Sequence, residues 1–75
     1  MTIYDEIREK RKILRSLYGG AMTSRQLMDE LGIRTKDTLR RAVRDMGIPV
    51  TVVAGRNRYD TDEVARRLVQ LRNPA

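Results

Sequence analysis

Apolar residues recur at helical spacing along most of this chain, and the breaks in that spacing mark its turns. Ile3, Ile7, Leu14 and Leu17 keep the period of an α-helix from about residue 3 to residue 18. Ile13 and Tyr18 flank this stripe and Lys10 interrupts it. Asp5, Glu6 and Glu9 come early and Arg8, Lys10, Arg11, Lys12 and Arg15 late, an order that suits the helix dipole. Gly19-Gly20 ends the segment. The sequence Thr23-Ser24-Arg25-Gln26 then reads as a capping box, with the Thr hydroxyl accepting from the Gln26 amide and the Gln side chain reaching back. Leu27 and Leu31, with Met28 beside them, give the short helix that follows an apolar face, and Gly32 stops it. A helix of about two turns needs a neighbour to pack against.

Thr35 can cap a third helix that runs to about Met46. Its inner stripe is Leu39, Ala42, Val43 and Met46; its opposite face carries Asp37, Arg41 and Arg44, flanked by Arg40 and Lys36. Gly47 and Pro49 prevent continuation. Val50-Thr51-Val52-Val53 is rich in β-branched residues and predicts a strand. Ala54-Gly55-Arg56-Asn57 predicts a turn, with Gly55 and Asn57 as its two residues tolerant of positive φ, and Arg58-Tyr59 begins a return strand. Asp60 or Thr61 caps a last helix with Asp62 and Glu63 in its first turn, Val64, Leu68 and Leu71 as its apolar positions, and Asn73-Pro74 at its close. The expected order is helix, helix, helix, hairpin, helix. The fold class is therefore mainly α with a small two-stranded hairpin, in a single domain over residues 1–75.

Composition narrows the chemistry. The 75 residues contain no Cys, no His, no Phe and no Trp. Disulfides, thiolate or imidazole metal sites, a cysteine nucleophile and the usual base of a serine triad are all excluded. The carboxylates gather at helix starts, where capping and the dipole account for them, and Asp29-Glu30 near the second helix end is expected to be solvated. No catalysis and no cofactor are expected. The longest run without charge, Gly47 to Gly55, is far short of the roughly 20 apolar residues that cross a bilayer. The expectation is a soluble, cytoplasmic, nucleoid-associated protein with no membrane partner.

The chain carries a net charge of +6, and its distribution is uneven. Leu31 to Tyr59 holds seven cations, Arg34, Lys36, Arg40, Arg41, Arg44, Arg56 and Arg58, against Asp37 and Asp45 alone. The rest of the chain is nearly neutral. A local excess of this kind favours a polyanionic partner. Two short helices joined by a Gly-containing turn form a helix-turn-helix unit over residues 23–46, whose second helix fits a major groove about 12 Å wide. Arg can grip a guanine edge or a phosphate with two parallel donors. Arg56 and Arg58 flank the hairpin tip over residues 48–59, within reach of phosphates or of a narrow minor groove.

Taken in order, Thr38-Leu39-Arg40, Met46-Gly47-Ile48-Pro49, Gly55-Arg56-Asn57-Arg58-Tyr59 and Asp62-Glu63-Val64 with Leu68 and Leu71 form a recognisable set. It resembles the DNA-binding domain of MerR-type regulators and phage excisionases, over about 50 residues from Thr23 to Leu71. The resemblance implies a winged helix-turn-helix of about four helices plus a two-stranded wing. It also implies that Thr38, Arg40 and Arg41 lie at or near DNA, that Arg56 and Arg58 belong to the wing, and that Tyr59 anchors the wing to the core. Arg34, Thr35, Lys36, Arg44 and Asn57 complete the candidate DNA-contacting set. The turn Gly32 to Thr38 is one residue longer than the family's, and an additional helix precedes the unit, so that Ile13 to Leu39 also looks like the three-helix form of many bacterial repressors. The long dimerisation helix and effector domain of full MerR regulators have no counterpart here, so no small-molecule effector is expected.

The implied function is sequence-specific binding of double-stranded DNA by a small phage or mobile-element regulator: an excisionase-like factor, a repressor or activator, or the DNA-binding part of a terminase small subunit. Two other readings stay open. A winged helix can serve as a protein-interaction module, and a basic domain can bind RNA, although Tyr4, Tyr18 and Tyr59 are far apart and are expected in or beside the core. The Ile3/Ile7/Leu14/Leu17 stripe is read either as intramolecular core or as the seam of a homodimer; dimers or cooperative neighbours on DNA are expected for so small a reader.

Overall fold

A computed structural model describes residues 2–72. The chain runs α1 (Ile3–Tyr18), β1 (Ala21–Thr23), α2 (Ser24–Leu31), α3 (Lys36–Met46), β2 (Val50–Val53), β3 (Arg56–Asp60) and α4 (Thr61–Arg72). It is mainly helical, with one three-stranded antiparallel sheet in the order β1-β3-β2. Asn73 and Pro74, the expected close of the last helix, lie outside the described residues.

Local chemistry sets the helix ends. Thr23 caps α2 through the reciprocal pair with Gln26, at 3.1 and 3.0 Å. Thr2 and Asp5 make the same box at the start of α1, and Asp60 caps α4 by accepting from the Glu63 amide at 3.0 Å. Thr35 caps α3, and Gly47 ends it in the left-handed conformation.

Two expectations about the sheet need correction. The hairpin is not a free two-stranded arm. Ala21, Met22 and Thr23 pair with Asp60, Tyr59 and Arg58, so β3 is the central strand and is held on both sides. A three-residue strand between a Gly-Gly stop and a helix cap shows no alternation that a sequence reading can detect. The turn is also placed one residue earlier than expected. Ala54 and Gly55 are its central residues, both with positive φ (53° and 76°), as a primed two-residue turn requires. Asn57 lies within β3 opposite Val52, and the return strand begins at Arg56.

One core joins all the elements. Leu14 of α1, Met22 of β1, Leu27 of α2, Leu39 and Val43 of α3, Ile48, Tyr59 of β3, and Val64 and Ala65 of α4 form a single buried cluster. On α4 the inward face turns on Ala65 and Val69, while Leu68 is half-buried and Leu71 exposed. On α1, Leu14 is buried and Ile7 half-buried, whereas Ile3, Ile13 and Leu17 are exposed, so only part of that stripe is core. Tyr59 and Tyr18 occupy core and core-edge positions as expected; Tyr4 does not and is exposed. Glu30, expected in solvent, instead joins α2 to α1. It accepts from the Tyr18 hydroxyl at 3.1 Å and from Lys10 at 3.4 Å, which explains why a lysine interrupts the stripe of α1. No described helix is long and apolar enough to cross a membrane.

Candidate nucleic-acid interface

The pairing of β1 with β3 decides what faces what. Thr23 ends β1 and also caps α2, and it lies opposite Arg58. This brings the start of α2 beside the hairpin. Tyr59, only 3% exposed, pins the hairpin to the core and places its hydroxyl 3.4 Å from the Ser24 hydroxyl. The third wall is α3, whose Leu39 and Val43 are packed into the same core.

Between these three elements runs an open groove of about 890 Å³. The start of α2 contributes Thr23, Ser24 and Arg25. From α3 come Lys36 and Arg40, with Leu39 and Val43 beneath them. The hairpin contributes Val50 and the run Gly55 to Tyr59. Five of the lining residues are cations, Arg25, Lys36, Arg40, Arg56 and Arg58, and none is an acid. Among the described residues, none of the five is in an ion pair; Arg58 donates to the Asn57 carbonyl oxygen at 3.1 Å. Unpaired cations around a concave, partly apolar wall reinforce one another's field. The first-turn amides of α2 add the positive end of a helix dipole on the same side.

The candidates picked from the sequence separate into two groups. Lys36, Arg40, Arg56, Asn57 and Arg58 line the groove. Arg34, Thr35, Thr38, Arg41 and Arg44 do not. Thr35 accepts from the Thr38 amide at 3.3 Å and donates to the Thr38 hydroxyl at 2.8 Å, so both hydroxyls serve the cap of α3. Arg44 lies 3.8 Å from Asp45. At about 100° per residue, Lys36, Arg40 and Arg44 follow one flank of α3, and Arg41 points outward beside it. Arg25 also lines the groove, and the sequence reading did not single it out. Its signal was its position two residues after a strong cap, but the strand that brings α2 to the hairpin was not visible.

No family model, curated protein sequence or solved structure matches the chain. The groove therefore has to be read from its own chemistry. Its lining offers guanidinium and ammonium donors, the hydroxyls of Thr23, Ser24 and Tyr59, and the Asn57 amide. Among the described residues no cluster of three or more carboxylates could hold a metal ion. A second hollow of about 390 Å³ lies under Lys10, Glu30, Leu68, Leu71 and Arg72. It mixes both signs of charge, and Glu30 there is already engaged by Lys10 and Tyr18.

Proposed function

We propose that the protein binds double-stranded DNA sequence-specifically, as a winged helix-turn-helix in which α2 and α3 are the helix-turn-helix and β2–β3 the wing. The observation that carries this reading is the set of five cations from three elements around one groove, none of them in an ion pair among the described residues. In this arrangement Lys36 and Arg40 on α3 approach base edges in the major groove, where Arg can grip a guanine with two donors. Arg56 and Arg58 on the wing and Arg25 at the start of α2 hold phosphates, fixing orientation without reading sequence. The resemblance to MerR-type regulators and phage excisionases supports a role as a small regulator of a phage or mobile element, by repression, activation, excision or packaging.

The reading is tested by adding a duplex of random sequence, then a selected site, to isotopically labelled protein and following backbone amide shifts. Changes are expected at Ser24 and Arg25, along Lys36 to Val43, and from Gly55 to Tyr59. Changes confined to α1 and α4, or a preference for single-stranded RNA over duplex DNA, would contradict it.

A further inference from the structure

The DNA reading uses the Val50 side chain of β2 as groove lining but leaves the outer backbone edge of that strand free. In the order β1-β3-β2, β2 has β3 on one side and, among the described residues, no strand on the other. All four of its residues are exposed, with Val50 at 44%, Val52 at 66% and Val53 at 51%. Natural edge strands are usually blunted by charge, by an internal Pro, by a bulge or by a covering element. Val50-Thr51-Val52-Val53 has no charge and no internal Pro, and pairs one-to-one with β3 without a bulge.

The register fixes which backbone groups are free. The two-residue turn makes Val53 and Arg56 its closing pair, joined by the turn's own hydrogen bond. Antiparallel alternation then turns the N–H and C=O of Thr51 toward Arg58 of β3, and those of Val50 and Val52 outward. We propose that a second copy of this chain pairs its β2 antiparallel with this edge, about a twofold axis through Thr51, when a duplex is bound. Only an axis at Thr51 satisfies every outward group within the strand. Val50 exchanges two hydrogen bonds with Val52 of the second copy, Val52 does the same with its Val50, and the four valine side chains meet on one face. Moving the axis by half a residue sets outward groups against inward ones and leaves all of them unpaired.

Charge explains the dependence on DNA. Arg56 and Arg58 lie on one face of β3, opposite Val53 and Thr51, so pairing brings two such arginine sets onto the same side of a continuous sheet. The uncharged strand favours self-pairing, and the flanking guanidinium groups oppose it until a polyanion neutralises them. The inference rests on the DNA reading for that counter-charge alone. Salt at about 1 M, where the Debye length is about 3 Å, replaces it.

The absence of native cysteine makes the test direct. Thr51→Cys puts a single thiol on the axis, where facing Cα atoms are about 4.5 Å apart, within disulfide range. Val53→Cys, two residues along the same face, would stand about 14 Å from its counterpart. With oxidised glutathione added as the two-electron oxidant, and with duplex or in 1 M salt without it, Thr51→Cys is expected to form a disulfide dimer at least tenfold faster than Val53→Cys. Adding Val52→Pro, which removes an outward N–H and none of the hairpin's own bonds, should abolish that advantage. Equal rates, or no dimer in either condition, overturn the proposal. Duplex binding by the reduced proteins is followed in parallel by anisotropy. Binding without selective crosslinking removes the edge pairing and leaves the DNA reading; selective crosslinking in high salt without duplex binding does the reverse.

Discussion

The layer formed by α1 and α4 and the groove formed by α2, α3 and the hairpin use the same cationic residues in opposite ways. In the first layer cations meet acids. Arg15 lies 3.0 Å from Asp62, Lys12 3.9 Å from Glu9, and Arg66 and Arg67 share Glu63 at 3.6 and 3.8 Å, while Lys10 lies 3.4 Å from Glu30 of the adjoining α2. Arg8 and Arg11, outside these pairs, sit on a helix that also carries Asp5, Glu6 and Glu9. In the groove five cations surround a hollow with no acid in its lining. Exposed ion pairs contribute at most about 1 kcal/mol each, so the contrast has little to do with stability. It concerns field: close opposite charges cancel, whereas unpaired like charges around a concavity add. One layer builds the domain, and the other gives it a charged face.

The largest expected effect separates those two roles. Leu14, fully buried in α1, has a side chain whose removal leaves a cavity. Leu14→Ala should lower stability by about 2–5 kcal/mol in urea denaturation, while duplex affinity per folded molecule stays unchanged. An affinity loss in the fully folded fraction would break the division. Next comes Arg40→Ala, expected to weaken binding to a selected site by about 1–3 kcal/mol and to relax its sequence preference. Stability should move by less than about 0.5 kcal/mol. Competition titrations with matched and mismatched duplexes check this, and an unchanged preference would move base reading to Arg41 or Arg44.

Tyr18→Phe tests the seam between α1 and α2 with an effect of about 1 kcal/mol, the net worth of one hydrogen bond. Partial burial and the hydrogen bond to Glu30 raise the Tyr18 pKa above its ordinary 10.0. A raised folded value means that the contribution is complete below pH 10.0 and is lost as the pH rises through the higher folded value. Parent and variant should therefore converge in stability in strongly alkaline solution, as read from unfolding curves at stepped pH. The smallest effect belongs to Arg15→Ala, which removes a half-exposed pair with Asp62. Stability should fall by less than about 1 kcal/mol, and duplex affinity by far less than for Arg40→Ala. Equal affinity losses at the two positions would mean that total charge, and not the groove, governs binding.

Much of this organisation was legible in the residues. Thr23 with Gln26, Thr35, Gly47 and Asp60 announced helix ends because caps are local chemistry, read within four residues. The strand Val50–Val53 followed from its β-branched run. The strand Ala21–Thr23 was not legible, since its partners are Arg58, Tyr59 and Asp60, about 37 residues away along the chain. The turn was misplaced because Asn57 tolerates positive φ better than Ala54, and the pairing of Val53 with Arg56 overrode that preference. The site followed the same division. Lys36, Arg40, Arg56, Asn57 and Arg58, chosen from charge, helix phase and turn position, are brought together around one groove. Arg25 was not singled out because it reaches the groove only through β1, and Thr35 and Thr38 lie outside the lining with their hydroxyls engaged in the cap of α3.

The salt dependence of duplex binding tests the central claim most directly. If Arg25, Arg56 and Arg58 each neutralise one phosphate, a log–log plot of the binding constant against salt concentration should have a slope of about −2.7, reduced by about 1 in Arg56→Ala and unchanged in Arg15→Ala. A slope near zero, or no duplex binding at low ionic strength, would contradict the account.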